Sequence, residues 1–371
     1  MLVKVLDNEK ISSFQFLLLV TMFIIGTSIL LAPSLLTKEA KQDAWISGII
    51  GTIVGLLVVW LYNTLGKKFH DMTLIDYSQI VFGKWIGKLI SLLFLTVPFT
   101  LAALILRNIG DFLTTQIFQE TPIEVVHIIF MCLVVMGTLL GIETIARSAE
   151  ILFPWFLLLF IFFIMFISPE IQFKNIQPTF ENGIKPILKA AIPFIGFPFL
   201  EMVILLMIFP YVNRKEEAEK AFLMGTFVGG SIIIVLTLLS ILVLGTDSTT
   251  RHLYPTYELA KKINIADFLQ RIEAIVAGMW FITIFFKLTI CFYSVALGTA
   301  QLLNLKGFKP LTFPLGIILV IYSLHISPNI VFNMTVIPKV WTPYIIIFGL
   351  AFPLLLLGLS KLRKKRDIGI G

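Results

Sequence analysis

The chain has 371 residues, of which 58% are hydrophobic and only 14% charged, with a formal charge of +7. Its mean hydropathy is +0.96. A water-soluble domain of this size needs more polar surface. Repeated apolar runs of about 20 residues therefore predict a polytopic helical membrane protein and exclude a membrane β-barrel, which would read as short alternating segments.

The amino terminus is mixed in charge (Lys4, Asp7, Glu9, Lys10), and the apolar run after it is too long for the core of a cleaved leader. The first helix is expected to be retained. Ten apolar spans follow in chain order: 12–35, 44–66, 87–110, 122–142, 146–168, 186–210, 218–245, 266–302, 310–327 and 338–360. An even count puts both termini on one side. With that side cytoplasmic, the inner segments hold 17 of the 29 Lys and Arg residues and the outer segments ten, with Arg107 and Lys287 inside spans. This matches the positive-inside rule. The net charge then reflects an inner face lying on anionic lipid, and nucleic acid is not an expected partner.

The first span contains Gly26, Thr27 and Ser28, three poor helix formers, near its middle. In hydrocarbon every backbone amide needs a partner, so such a weakness is tolerable where the chain lines a polar cavity. The second span carries Gly51 and Gly55, read as close-packing positions. The third ends in Arg107 and Asn108 with Asp111 one turn on, an i,i+4 ion pair or an outer gate. The sixth, AIPFIGFPFLEM (191–202), places Pro193, Gly196 and Pro198 ahead of Glu201, and Pro198 disfavours helix at Phe197. The seventh carries Gly225 and Gly229, again read as packing.

Breaks in spans 1 and 6 occupy matching positions in two five-helix halves, about 11–168 and about 186–361. That pattern signals an inverted-repeat transporter fold with its site near the bilayer midplane. Each half-helix after a break aims its partly positive N-terminus at the gap, which suits a carboxylate.

Glu201 and Lys287 are the deepest ionisable residues and should both face the interior. Thr283, Cys291, Ser294 and Gly298 recur with Lys287 at helical spacing. Lys287 is either a fixed charge near the first break, where sodium-coupled proteins of this architecture hold a cation, or a structural partner of Glu201. Phe197, Phe199 and Tyr293 are candidate pocket walls, with ordinary packing as the alternative. Arg271 and Glu273 open span 8. Trp45, Trp85, Trp155, Trp280 and Trp341 lie mostly near span ends, as interface anchors do. Cys132, Cys291 and four scattered histidines make neither a disulfide framework nor a metal cluster. No nucleophile–base set or phosphate loop suggests an enzyme or a cofactor.

The motifs IGTSILLAP (25–33), ETPIEVV (120–126), EILFPWF (150–156), GFPFLEM (196–202) and RIEAIVAGMW (271–280), in that order, resemble the spore germination permease-like family. Its members are the B subunits of endospore germinant receptors, within the amino acid–polyamine–organocation superfamily. The resemblance covers essentially the whole chain. It implies a LeuT-like fold in the spore inner membrane, a small nutrient ligand (an amino acid, sugar or nucleoside), and an A subunit and a lipoprotein C subunit as partners. It places Gly26, Thr27 and Ser28 in an unwound part of helix 1 and Gly196 to Glu201 in an unwound part of helix 6. Thr27 and Ser28 depart from the superfamily's glycine-rich pattern. The expected function is nutrient sensing coupled to partner subunits, with proton-coupled amino acid transport as the alternative.

Overall fold

The computed structural model describes residues 9–69, 71–262 and 273–368. Arg271, the 266–272 portion of span 8, His70 and the first eight residues, with Lys4 and Asp7, lie outside them, as do the side chains beyond Leu362. Helix α1 (Ser13–Ala40) is followed by α2 (Ala44–Lys68), the short α3 (Leu74–Phe82), α4 (Lys84–Phe112), α5 (Ile123–Leu140) and α6 (Ile142–Ile167). Then come α7 (Ile184–Phe194), α8 (Lys215–Arg251), the short α9 (Pro255–Lys261), α10 (Glu273–Leu302) and α11 (Lys309–His325). Helices α12 (Ile330–Thr335), α13 (Ile337–Ile346) and α14 (Phe352–Ile368) end the chain.

Among the described residues, eight helical stretches are long and apolar enough to cross a membrane. One of them, Ser13–Lys68, contains both α1 and α2, and α11 is a shorter apolar helix outside that set. Helices α3 and α9 were not expected. Their local causes are plain: Thr73 and Asp76 form a reciprocal capping box at the start of α3, and Pro255 sits in the first turn of α9.

The centre of the bundle is α1, from Phe16 to Ala32 almost wholly buried. Helices α7, α8 and α10 pack around it. Small residues permit the closest approaches. A Cβ on Gly225 would meet the Leu17 carbonyl oxygen at 2.7 Å, and one on Gly229 would meet Ile24 at 2.9 Å. Gly51 and Gly55 of α2 likewise receive the rings of Phe194 and Phe199. These four glycines are packing positions, as the sequence suggests.

The outer helices differ. α5 and α6 expose Ile128, Ile129, Leu133, Ile151 and Ile161 on broad apolar faces, as helices facing lipid do. Trp85 is exposed at the start of α4, consistent with anchoring at an interface; Trp155 is exposed at the middle of α6, away from either end, and Trp280 and Trp341 are buried within the bundle. The expectation that these two are interface anchors is corrected: their indoles fill core positions.

Candidate functional site

Both predicted weaknesses interrupt their helices. α1 leaves helical geometry at Gly26 (φ −1°, ψ −105°). The second interruption lies beyond α7: Phe197 is extended (φ −126°, ψ 107°), within the irregular stretch Ile195–Phe199. Pro198 follows and supplies no N–H. The chain then continues as a tight 3₁₀-type helix over Leu200–Met207 before turning at Phe209–Tyr211. A 3₁₀ run of this length is unusual and marks a hinge or a strained segment.

Lys287 of α10 lies against both interruptions. A Cβ on Gly26 would stand 2.6 Å from Lys287 Cδ, so only glycine lets the lysine stem pass the first break. The ammonium donates to Thr27 Oγ1 at 3.1 Å and sits 2.7 Å from Glu201 Oε2. It also lies 5.1 Å from the Phe23 ring centre and 4.8 Å from that of Phe197. Glu201's other carboxylate oxygen accepts the indole N–H of Trp341 at 2.7 Å. Lys287 and Glu201 are both fully buried. One lysine thus joins α1, α10 and the segment after the second break, and Trp341 ties that cluster to α13.

A buried charge is tolerated when it is paired and hydrogen-bonded. Here the carboxylate neutralises the ammonium, a threonine and an indole supply hydrogen bonds, and two aromatic faces complete the cation's surroundings. Ser28 Oγ, one residue beyond Thr27, is buried without a hydrogen-bond partner.

The sequence-predicted residues divide. Gly26, Thr27, Phe197, Glu201 and Lys287 come together, and Ser28 adjoins them. Gly196 faces α13, where a Cβ would stand 3.2 Å from Thr342 Cγ2. Phe199 packs into Gly55 of α2 and meets Phe194 edge-on at 5.3 Å. Tyr293 packs edge-on with Tyr211 and Phe308 instead of lining the breaks. Thr283 and Ser294 bond back to carbonyls of their own helix, and Gly298 takes Leu95 of α4. The sequence gives no sign of Phe23, and it points to Trp341 as an interface anchor and not as a site residue. A tryptophan near a span end reads as an anchor, and one phenylalanine among 34 carries no signal.

The second predicted ion pair also forms. Arg107 Nε contacts Asp111 Oδ1 at 2.9 Å along α4. Asn333 of α12 donates to Asn108 at 2.7 Å and to Asp111 Oδ2 at 3.4 Å, and Arg107 reaches the Leu324 carbonyl at 3.5 Å.

Among the described residues the chain is a helical, apolar bundle with two interrupted inner helices and a buried ion pair between them, the make-up of an integral membrane protein. Solved structures share this fold. The crystal structure of MhsT in complex with L-phenylalanine superposes with a TM-score of 0.69 at 15% identity, covering 92% of this chain and 88% of that one. Mhp1, a nucleobase-cation-symport-1 family transporter in a closed conformation with bromovinylhydantoin bound, gives 0.62 at 12% identity, over 85% and 72%.

Within that class the chain belongs to the spore germination protein family, whose model matches residues 10–331. Spore germination protein KB of Bacillus subtilis (strain 168) is 29% identical over 365 residues, 97% of both chains. Spore germination protein YndE of the same organism is 24% identical over 363 residues, 97% of this chain and 99% of that one.

Proposed function

We propose that this chain is the nutrient-sensing membrane subunit of a spore germination receptor. It binds a small molecule such as an amino acid between the two helix breaks and signals to an A subunit and a lipoprotein C subunit in the spore inner membrane. In this reading the chain makes ten crossings in two inverted five-helix halves, keeps both termini in the cytoplasm, and catalyses no reaction. The observation that carries it is the junction of Gly26, Thr27, Phe197, Glu201 and Lys287 at the two breaks. Thr27 and the buried hydroxyl of Ser28 offer polar contacts to a ligand there. Family membership supports the sensing role.

Lys287 takes the position of a fixed positive charge beside the first break. A ligand that binds there must compete with or rearrange the Glu201–Lys287–Thr27 contacts. Any preference of the ligand for the rearranged form shifts the conformational equilibrium that partner subunits read.

The second reading, a proton-coupled amino acid transporter, is favoured by the transporter fold of both structural neighbours. Fold alone does not decide it. Two measurements on the same strain separate the readings. Spores lacking this chain should lose the germination response to one nutrient while uptake of that labelled nutrient stays unchanged. Accumulation of the labelled nutrient in vesicles holding this chain alone, abolished by collapsing the proton gradient, would instead establish the transporter.

A further inference from the structure

We propose that a furrow on the lipid-facing side of the bundle is a binding site for one anionic phospholipid. The furrow is an open groove of about 590 Å³, lined mainly by three helices. Trp85, Lys88, Leu92 and Phe99 lie along α4, Val295 and Thr299 form the floor on α10, and Leu315 of α11 closes the far wall. The groove is shaped where Leu95 seats into Gly298: a Cβ there would stand 2.5 Å from Leu95 Cδ2.

Its two ends differ in chemistry. At one end Lys88 donates to the Leu302 carbonyl at 3.0 Å, an acceptor freed at the last turn of α10. An ammonium has three protons, so this bond leaves donors for a headgroup. Trp85 beside it is 83% exposed, and Lys84 is exposed one turn before Lys88. No residue lining the furrow is acidic. Toward the other end the walls are Leu92, Leu95, Phe99 and Leu315, and Phe99 stacks on Tyr322 at 5.5 Å.

Trp85 to Phe99 spans about 21 Å of helix, the depth of one leaflet of a core about 30 Å thick together with its interface. The occupant therefore has its phosphate at Lys88 and one acyl chain lying toward Phe99. A lysine at one end of a groove between membrane helices, with an apolar track leading from it, suits an anionic headgroup.

The test uses the purified full chain in phosphatidylcholine nanodiscs, with phosphatidylglycerol titrated in and bound lipid counted by native mass spectrometry. Phosphatidylglycerol should be retained in preference to phosphatidylcholine, with one lipid outlasting the rest as collision energy is raised. Lys88→Gln should weaken that preference about fivefold, the factor one lysine contributes near an anionic surface. Thr299→Trp, which fills the floor with Lys88 intact, should remove the long-lived lipid of either kind. Equal retention of both lipids by the unaltered chain overturns the proposal without recourse to any variant. So does a dimer that Thr299→Trp dissolves, because the occupant would then be a second copy of this chain.

Discussion

The two ion pairs inside the bundle are built from the same chemistry and differ in what they require. Arg107 and Asp111 are one turn apart on α4 and keep 11% and 6% of their side-chain surface exposed. Such a pair can form in an isolated helix. Lys287 and Glu201 come from elements far apart in sequence and expose none. That contact exists only when α10, the segment after the second break and α1 are already in place, so its length reports how those elements are arranged. The local pair forms within one helix, whereas the central pair records how distant elements meet.

The largest expected effect comes from removing one half of the central pair. Glu201→Ala leaves Lys287 buried and unpaired and should cost about 3–5 kcal/mol, read as a lower thermal midpoint in detergent. Glu201→Leu combined with Lys287→Met should recover much of that loss. Additive losses would show that the two side chains do not act as a pair. Trp341→Phe removes one hydrogen bond to a charged acceptor and should cost about 1.5–3 kcal/mol. A wild-type midpoint for that variant would remove α13 from the central cluster.

Gly26→Ala drives a methyl group into the Lys287 stem and should cost about 1–3 kcal/mol by overpacking, with nutrient response reduced more than folding. Arg107→Ala should be milder, about 1–2 kcal/mol, because Asn333 still serves Asp111. A loss as large as that of Glu201→Ala would erase the contrast between the two pairs.

The smallest effect lies outside the spans. Asp76 of α3 accepts from Thr73 and from Gln301 of α10. Burial raises its carboxyl above the ordinary value, against the Thr73 hydrogen bonds, which lower it. The folded chain therefore holds this proton to higher pH than the unfolded chain does. Stability should fall as pH rises from the ordinary carboxylate range through the raised value, then level off. Asp76→Asn should flatten thermal midpoints measured across that window; an unchanged slope would assign it to another group.

Much of this architecture is legible in the sequence because bilayer physics leaves few choices. Long apolar runs give the helices, and Gly26 and Pro198 give the interruptions. An intramembrane lysine and glutamate must turn inward, so Lys287 and Glu201 are placed correctly. The pocket aromatics are less legible. Phase along a helix predicts which residues share a face, but the irregular stretch Ile195–Phe199 resets that phase, and Phe199 emerges against Gly55 instead of Lys287. Tyr293 keeps its phase yet lies almost two turns from Lys287, toward Tyr211 and Phe308. Trp341 escapes because its role depends on how α13 meets Glu201, a contact between distant parts of the chain. The capping box at Thr73 and Asp76 does have a sequence signature, Thr-x-x-Asp, and could have revealed α3.

The start of the chain is laced to the far side of the second interruption. Ile11 N–H donates to the Tyr211 carbonyl at 2.9 Å, and Asn213 N–H donates to the Ile11 carbonyl at 3.0 Å. Ser13 Oγ reaches Glu217 at 2.7 Å just beyond. The two interrupted helices therefore share a seam as well as a gap. A shift of either segment has to carry the other along or break those two backbone hydrogen bonds.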